Sequence, residues 1–332
     1  MPSGQSNDPR ILLPFLETPG AYVSGEKLAR MAGVSRVSVW NRMNKLEEDG
    51  FRFEAVRNRG YRMVAEPATF HPLLMEAYAR LKDLELPLSV HNSIDSTSSE
   101  IERLLISGKV PPFAVVASEQ TRGRGRMGRP WESQPAGNAY LSLAFRPNLQ
   151  LDRMQCFTLW MGVNLVHLLR HLTGLPLQIK WPNDVLCKGR KLAGMLTEAR
   201  IDNDHLKDLI FGLGVNINAG HFEGDLGRKA TSIYLEDGRI QSVHRYAAEI
   251  LATLLKAYRQ IETENISESL KKQWDELDCL RDQPVSLDNG FQNLTGIARG
   301  IDEQGALLLE EDSGETTRVL AGDVSLSRSY PQ

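Results

Sequence analysis

Hydrophobic positions near the start of the chain recur at helical spacing and then alternate as they do in strands. Three short helices are predicted, and the third, capped by Ser35, places the apolar residues Val39, Met43 and Leu46 on one face. Alternation over 51–56, a basic turn and a return run then predict a hairpin. This order is typical of a winged helix-turn-helix, which we expect over residues 1–66.

A linker rich in chain breakers, residues 65–72, precedes a larger region in which strand and helix patterns are mixed. The runs 113–117 and 139–145 are apolar enough for strands, and 153–172 and 243–261 have helical spacing. We expect one mixed α/β domain over residues 67–275. Short strands between glycine-containing turns then predict a small β-barrel-like domain over residues 276–332. The expected fold class is α+β and multidomain.

The composition is that of a soluble globular protein, with 41% apolar and 24% charged residues. The most apolar stretch, 157–172, is too short and too polar to span a bilayer. The first residues lack the features of a secretory signal, and the three cysteines form no C-x-x-C pair. We therefore expect a cytoplasmic protein without membrane association, disulfides or a zinc cluster. His167 and His171, four residues apart, leave a metal site as a weak alternative to packing.

The N-terminal segment differs from the rest of the chain in charge. Residues 10–65 hold ten Lys and Arg against six Asp and Glu, a net charge of +4, whereas the whole chain is −3. The basic residues fall on the third helix and the hairpin, the elements that meet phosphates and a groove in such domains. The residues predicted to bind DNA are Ser35, Arg36, Ser38, Asn41, Arg42, Lys45 and Arg59. The alternative is a packing module with a solvated basic face.

An arginine- and glycine-rich stretch, Gly123–Trp131, is the most informative segment of the chain. Its glycines allow a ligand to approach the backbone and its arginines favour a phosphate or carboxylate. The glycines match G-x-G-x-x-G, but a strand follows instead of a helix, which disfavours a dinucleotide-binding fold. An RNA-binding tail is also disfavoured, because strand-like runs bracket the stretch. An ordered anion-binding loop fits best.

Four further motifs occur in the central region, and each is weak by itself. They are Asp95–Ser98, Lys180–Asp184, Lys191–Glu198 and Gly212–Asn218. Asp-Ser-Thr is a common helix cap, Asn-Asp a common turn and Gly-x-Gly a common strand end. Their order, together with the arginine-rich stretch, indicates one shared site.

This ordered set closely resembles the biotin–protein ligase family, and the N-terminal domain makes the chain similar to its bifunctional members, which are both ligase and biotin-operon repressor. The resemblance covers essentially the whole chain and implies a winged helix, a mixed α/β biotin-ligase catalytic domain and a C-terminal SH3-like barrel. One departure is visible, because the family usually has Asp-Ser-Thr-Asn where this chain ends the motif with Ser98. Serine also forms hydrogen bonds, but with shorter reach.

The resemblance implies roles for residues of the central region. Lys191 and Arg126 would be catalytic, with Lys191 contacting the biotin carboxylate and the bridging phosphate. The implied biotin and adenylate site consists of Ser96, Thr97, Ser98, Gln120, Gly123, Arg124, Gly125, Arg126, Lys191, Gly194 and Gly212. The implied ATP and Mg²⁺ side consists of Asn183, Asp184 and Asn216. Asp184 is the candidate metal ligand, with a simple turn cap as the alternative.

The implied reaction has two steps and needs no tightly bound cofactor. Biotin and Mg-ATP form biotinyl-5′-AMP, and a lysine of the biotin carboxyl carrier protein of acetyl-CoA carboxylase then receives the biotin. The adenylate-bound protein, with biotin as the precursor of the corepressor, would form a homodimer on operator DNA of biotin-biosynthesis genes. Three alternatives remain: a ligase with an idle N-terminal domain, a biotin-sensing regulator without turnover, and a lipoate ligase.

Overall fold

The computed structural model describes residues 8–134, 136–147, 154–202 and 205–326 of the chain. The helices are α1 (Leu13–Glu17), α2 (Gly25–Ala32), α3 (Arg36–Glu48), α4 (Pro72–Leu81), α5 (Thr97–Ile106), α6 (Met154–Thr173), α7 (Leu226–Lys229), α8 (Ile233–Asp237), α9 (Val243–Thr263) and α10 (Ser267–Leu277). The strands are β1 (Arg52–Val56), β2 (Gly60–Ala65), β3 (Leu88–Ile94), β4 (Phe113–Gln120), β5 (Gly123–Arg124), β6 (Pro130–Trp131), β7 (Ala139–Phe145), β8 (Leu177–Lys180), β9 (Asp184–Cys187), β10 (Arg190–Asp202), β11 (His205–Val215), β12 (Pro284–Asp288), β13 (Asn293–Ile301), β14 (Leu307–Glu310), β15 (Thr316–Val319) and β16 (Asp323–Leu326). The outer ends of the two terminal domains and the predicted helix start at 153 lie outside the described residues.

The N-terminal winged helix-turn-helix is confirmed. The Ser24 and Ser35 hydroxyls cap α2 and α3 by accepting hydrogen bonds from the Lys27 and Ser38 amides, both at 3.1 Å. Gly33 ends α2 in the left-handed region, at φ 64°. Strands β1 and β2 pair antiparallel and form the wing. A serine cap before each helix therefore marks both helices of the motif.

The central domain is built on one seven-stranded sheet in the order β3-β4-β7-β11-β10-β9-β8. Only β3 and β4 run parallel among these neighbours, and the other pairs are antiparallel. The predicted strand 139–145 is β7, in which all residues are buried. Helix α5 packs against β4, β7 and β11, whereas α6 and α9 pack together and contact β8, β10 and β7. The mixed α/β domain that the sequence predicts is confirmed.

The C-terminal β domain is also confirmed, as a five-stranded antiparallel sheet in the order β15-β14-β13-β12-β16. Its alternating inward residues Val285, Leu287 and Leu309 are fully buried and belong to the same hydrophobic cluster as α6 and α9. The domain therefore packs directly onto the central domain.

Helix α4 contributes side chains to the cores of both the winged helix and the central domain. Leu73 and Leu74 pack into the core of the winged helix, whereas Met75 belongs to the core of the central domain. Side chains of one helix just after the predicted boundary near residue 66 thus join both cores, and the domain limits stay a prediction. Within the described residues, no helix has both the length and the apolar character needed to cross a membrane.

Candidate active site

A cleft with a cavity of about 160 Å³ opens where β4, β10 and β11 meet the start of α5 and the arginine-rich loop 123–131. It gathers most of the site residues that the sequence predicts, although they are widely separated along the chain. The predicted residues that line it are Ser96, Thr97, Ser98, Gln120, Arg124, Gly125, Arg126, Asn183, Asp184, Lys191, Gly194 and Gly212. The fold thus brings the separate motifs into one site.

One end of the cleft carries a buried cluster of hydroxyl and amide groups. The Thr97 amide and hydroxyl both donate to Gln120 Oε1, at 2.8 and 3.0 Å. The Ser142 hydroxyl is 2.7 Å from that of Thr97 and 3.1 Å from that of Ser98. Ser96 caps α5 by accepting from the Ser99 amide at 3.4 Å. Because these groups are fixed by one another, they offer directed donors and acceptors to a small polar ligand group.

The floor of the cleft is flat because glycines face the indole of Trp131. A Cβ on Gly194 would lie 2.6 Å from the Trp131 ring, and one on Gly214 would lie 2.5 Å from it. A Cβ on Gly212 would lie 2.9 Å from the Ser98 hydroxyl. Side chains are excluded at these positions, so the sheet backbone and the indole form an apolar wall beside the polar cluster.

The arginine-rich loop is an ordered structure, as the sequence predicts. Strands β5 and β6 pair with each other, and the Gly125 amide donates to the Arg129 carbonyl at 2.7 Å. Met127, at the tip, is exposed and has a positive φ of 55°. No α-helix opens within the G-x-G-x-x-G stretch, all of which the structure describes, since a 3₁₀ turn separates the two strands. The loop therefore differs from a dinucleotide-binding turn.

The two inner arginines of this loop have different surroundings. Arg124 contacts Glu102 at 3.0 Å and Glu198 at 3.3 Å. Burial opposes the charge of Arg124, but the hydrogen bond to Glu102 and the charge of Glu198 outweigh it and raise the pKa of Arg124. Burial lowers the pKa of Arg126, and the nearby carboxylates offset this only in part. Arginine nevertheless stays charged in proteins, so Arg126 is the less neutralised of these two cations beside the cavity.

Residues of the C-terminal domain complete this end of the cleft. Arg126 Nη1 donates to the Gly322 carbonyl at 3.1 Å and lies 3.8 Å from Asp323 Oδ1. Arg129 forms an ion pair with Asp323. Arg126 Nη1 also lies 3.5 Å from Asn183 Oδ1. The loop is thus held between the seven-stranded sheet and the start of β16.

Lys191 lines the same cavity from the β9–β10 hairpin. Its Nζ is 2.7 Å from Asp184 Oδ1 and 5.0 Å from the centroid of the Trp131 ring. Both residues belong to this hairpin, in which the strand register pairs Asp184 with Gly194 and Lys191 with Leu186. Arg126 and Lys191 therefore place positive charge around one cavity, which suits the meeting of two anions.

The acidic groups of the cleft fit a metal ion that arrives with ligands of its own. In the part of the chain that the structure describes, no group of three or more His, Cys, Asp or Glu side chains is placed to hold a metal. Asp184 supplies one carboxylate, and the Asn183 amide donates to the Met195 carbonyl at 2.6 Å, which leaves its oxygen toward the arginine-rich loop. One carboxylate suits Mg²⁺ that is bound mainly by substrate phosphates and water.

Two residues of the predicted site do not line the cavity. Gly123 lies behind it, where a Cβ would approach the Trp131 carbonyl to 2.6 Å. Asn216 is buried, and its amide donates to the Thr231 carbonyl at 3.0 Å. The Thr231 amide in turn donates to the Lys191 carbonyl at 2.8 Å. Asn216 therefore supports the strand that carries Lys191.

Among the residues that the structure adds to the predicted site are Ser142, Trp131 and Asp323. Ser142 joins the hydroxyl cluster, Trp131 forms the apolar wall, and Asp323 holds the loop. Trp131 ends the arginine-rich motif, and its place there is the available clue. Ser142 is the only serine or threonine in the apolar run 139–145, and this polar residue among apolar ones is the available clue to its role. Nothing in the sequence around Asp323 relates it to the loop.

The residues predicted to bind DNA differ in how exposed they are. Ser35, Arg36, Asn41, Lys45 and Arg59 are exposed on α3 and the wing. Ser38 is half-buried and hydrogen-bonded to the Ser35 hydroxyl at 2.9 Å. Arg42 is half-buried and lines a cleft against α4.

Three sequence models match consecutive parts of the chain. An HTH domain matches residues 10–62, the Biotin/lipoate A/B protein ligase family matches residues 90–216, and the Biotin protein ligase C terminal domain matches residues 282–327. These matches follow the N-terminal, central and C-terminal parts of the fold.

The chain is also similar to proteins of known name over nearly its whole length. It is 31% identical over 316 residues to the bifunctional ligase/repressor BirA of Bacillus subtilis (strain 168), covering 94% of this chain and 96% of that protein. It is 32% identical over 311 residues to the BirA of Escherichia coli (strain K12), covering 92% and 94%. The solved structure of Aquifex aeolicus biotin protein ligase in complex with biotin and ATP matches with a TM-score of 0.64 and 29% identity, over 73% of this chain and 99% of that one. This chain therefore belongs to the biotin–protein ligase family and carries the N-terminal helix-turn-helix domain of the ligase/repressor proteins.

Proposed function

We propose that the protein joins biotin to the biotin carboxyl carrier protein of acetyl-CoA carboxylase and represses transcription of biotin-biosynthesis genes. The observation that carries the ligase proposal is the cleft in which a hydroxyl cluster and an apolar wall lie beside Lys191 and Arg126. Biotin is itself a mostly apolar molecule with a ureido group at one end and a carboxylate at the other. The two ends of the cleft match the two ends of that ligand.

The first step forms biotinyl-5′-AMP. A carboxylate oxygen of biotin bonds to the α-phosphorus of ATP, the bond from that phosphorus to the α,β-bridging oxygen breaks, and pyrophosphate leaves. Both reactants are anionic, so Lys191 and Arg126 stabilise the charge where they meet. Arg124, Gly125 and the loop backbone cover the adenylate. The hydroxyl and amide groups that orient the ureido group are those of Ser96, Thr97, Ser98 and Gln120.

Mg²⁺ would share the phosphate charge when it is bound with ATP. Asp184 would hold it together with the Asn183 amide oxygen. Asn216 serves this side of the site through the backbone, because it fixes Thr231 and thereby the Lys191 strand.

The second step transfers biotin to the carrier protein. The neutral amine of a carrier lysine attacks the carbonyl of the mixed anhydride, an amide bond forms, the bond to AMP breaks and a proton is released. No side chain of the ligase is acylated. Lys191 acts as a fixed cation, since its ammonium is paired with Asp184 at 2.7 Å.

Transfer of labelled biotin to an apo carrier domain in the presence of Mg-ATP tests the ligase. We expect Lys191→Ala to lower the rate at least about 100-fold, the effect of losing one preorganised charge contact. Lys188→Ala is the matched control, because Lys188 lies in the same hairpin but pairs with Glu236 away from the cleft. Equal rates for the two variants would remove Lys191 from the mechanism. Lipoate as an alternative substrate tests the related activity.

The repressor half of the proposal rests on the winged helix-turn-helix and on the match to ligase/repressor proteins. Biotinyl-5′-AMP that is not consumed would favour a homodimer, which presents two winged helices to a palindromic operator. Sedimentation velocity and a gel shift on the promoter of a biotin-synthesis operon, each with and without biotin and ATP, test it. Transfer without a shift would leave a ligase with an idle N-terminal domain. A shift without transfer would indicate the alternative, a biotin-sensing regulator without turnover.

A further inference from the structure

Two large apolar side chains are exposed on the outer face of α3. Val37 is 70% exposed and Trp40 is 56% exposed. They are three positions apart and so are neighbours on the helix surface, beside Asn41. The buried residues Val39 and Met43 point to the opposite side, into the domain core. Two neighbouring exposed apolar side chains on one face of a helix indicate a contact surface.

The position of these side chains along α3 favours contact with bases. Both lie in the first half of the helix, and the N-terminal part of the second helix in a helix-turn-helix is the part that reaches base edges in the major groove. Two of the polar residues that the sequence predicts for this role are used elsewhere. Ser38 is engaged with Ser35, and Arg42 lies against α4. Val37 and Trp40 therefore lie on the exposed face of α3 together with Arg36 and Asn41.

The surroundings of the apolar pair are cationic. Arg36 is exposed beside Val37, and Arg57 and Arg59 are exposed at the tip of the wing. The Arg59 guanidinium lies 4.1 Å from the centroid of the Tyr22 ring, which holds the wing arginine close to the helices. A polyanion with apolar groups between its charges fits this pattern better than an apolar protein partner does. The major groove of DNA offers such groups as the C5 methyls of thymine.

We propose that Val37 and Trp40 recognise thymine methyl groups in the major groove of each operator half-site. This inference rests on the proposed repressor function and adds which bases the protein selects. Removal of one buried methyl weakens binding about fourfold, which is roughly 0.8 kcal/mol. The half-site thus contains thymine where α3 enters the groove, and the affinity of the protein for it depends on the thymine methyl group.

The test uses the full-length protein with biotin and Mg-ATP. The wild type first selects duplexes from a random pool, and each thymine common to the selected sites is then replaced by deoxyuridine, which lacks only the methyl. Fluorescence anisotropy measures the affinity of the wild type, Val37→Ala, Trp40→Ala and Trp40→Phe for both duplexes. Val110→Ala is the matched control, because Val110 is 69% exposed and lies outside the winged helix. Biotin transfer, measured in parallel, should be unchanged in all of these variants.

The expected result is a loss of about fourfold per methyl for the wild type and Val110→Ala, and a smaller loss for Val37→Ala or Trp40→Ala. Trp40→Phe should keep part of the methyl dependence. Selected sites that lack thymine, or a uracil effect that is equal in all variants, would overturn the inference while the repressor function stands. Failure of the wild type to enrich any sequence, with biotin transfer intact, would overturn both the repressor function and the inference.

Discussion

The Trp131 side chain fits into the cleft because the residues beneath it are glycines. Its indole lies over Gly194 and Gly214, and within the described structure its Nε1 is buried without a hydrogen-bond partner. Packing therefore holds the ring, and the Lys191 ammonium lies close to the same indole. A methyl group on the floor disturbs several contacts at once, since protein interiors are close-packed.

Gly214→Ala is expected to weaken biotin binding about tenfold or more. The new methyl would lie 2.5 Å from the Trp131 ring, and overpacking of this kind costs about 1–3 kcal/mol. Gly220→Ala is the control, because its Cβ would meet only Tyr234, at 3.9 Å, among the described residues. Isothermal titration with biotin measures both, and equal affinities would show that the indole is not part of the pocket.

Ser98→Ala is expected to lower biotin affinity about two- to tenfold. The change removes a buried hydroxyl that is 3.1 Å from Ser142, and one hydrogen bond contributes about 0.5–1.5 kcal/mol. Ser107→Ala, at the exposed other end of α5, should bind biotin as the wild type does. A normal affinity for Ser98→Ala would mean that Thr97 and Gln120 suffice.

Individual site residues were predictable because they stand in motifs whose order along the chain resembles that of a known family. Lys191, Arg126 and the Ser96–Ser98 cap stood in motifs, and the cleft contains them. Asn216 stood in a motif as well, yet its amide is used by the Thr231 carbonyl. A motif shows which groups are near in sequence. It does not show which donors and acceptors are already hydrogen-bonded within the folded protein.

Helix α3 and the wing illustrate how far an element can be read from its own pattern. The Ser35 cap and the buried face of Val39, Met43 and Leu46 follow from helical periodicity and are present in the structure. The surroundings of Arg42 do not follow, because it lines a cleft together with Leu73 and Glu76 of α4, which lie beyond the helix-turn-helix in the sequence. Periodicity therefore predicts the buried face of a helix more securely than the neighbours of its flanks.

Gly60→Ala is expected to weaken DNA binding about tenfold and to leave biotin transfer within about twofold of the wild type, since a misplaced element of this kind costs about 1–3 kcal/mol. Gly60 has φ 98°, and a Cβ there would overlap the Val23 carbonyl oxygen. That carbonyl accepts from the Tyr61 amide at 2.9 Å and seats the wing on the helices. The wing should therefore be displaced while the catalytic domain is untouched.

Gly20→Ala separates collision from backbone strain in this experiment. Gly20 also has a positive φ, 77°, but no atom of the described residues lies within 4 Å of the place that an added methyl group would take. A gel shift with the wild-type operator compares the two variants. If Gly20→Ala weakens DNA binding as much as Gly60→Ala does, the position of the wing is not the cause.

The parts of the molecule are joined by a polar network around Glu66. Tyr78 of α4 and Ser242 at the start of α9 both donate to its carboxylate. The His71 amide donates to His244 Nε2 at 2.9 Å, and His71 Nε2 lies 3.5 Å from Asp49 at the end of α3. Burial opposes the charge of Glu66, but the His244 ring, 3.5 Å away, and the hydrogen bonds from Ser242 and Tyr78 outweigh it and lower the pKa of Glu66.

Acidification is expected to destabilise this junction. Burial lowers the pKa of His71 below its ordinary value of 6.5, although Asp49 acts in the other direction. A depressed pKa in the folded state means that the contribution to stability is complete above about pH 6.5 and is lost as the pH falls through the folded-state value. The pKa of Glu66 is also lowered, so protonation of its carboxylate at lower pH reduces the stability of the folded state as well.

Urea unfolding at about pH 7.5 and about pH 5.5, on either side of the ordinary histidine pKa, measures this effect. The difference in free energy of unfolding between the two pH values should be smaller for His71→Gln than for the wild type. His221→Gln, which changes an exposed histidine in the central domain, is the control. The same difference in all three proteins would show that another group determines the pH dependence.

The order of the three domains was predictable from composition and periodicity, since each domain has its own pattern of strands, helices and turns. The way the domains share cores was not. Leu73 and Leu74 pack into the winged helix, and Val285 and Leu287 pack into the catalytic core. Such contacts join positions far apart in the chain, and no local pattern carries information about them.

The contact of the arginine loop with Gly322 and Asp323 bears on how members of this family can be recombined. A chimera that takes its C-terminal domain from a relative would replace the segment that contains Gly322 and Asp323, and with it the partners of Arg126 and Arg129. Exchanges in which the loop and the start of β16 come from the same parent should remain active, whereas mismatched exchanges should not. The arginine loop and the start of β16 should therefore be exchanged together, although they lie far apart in the sequence.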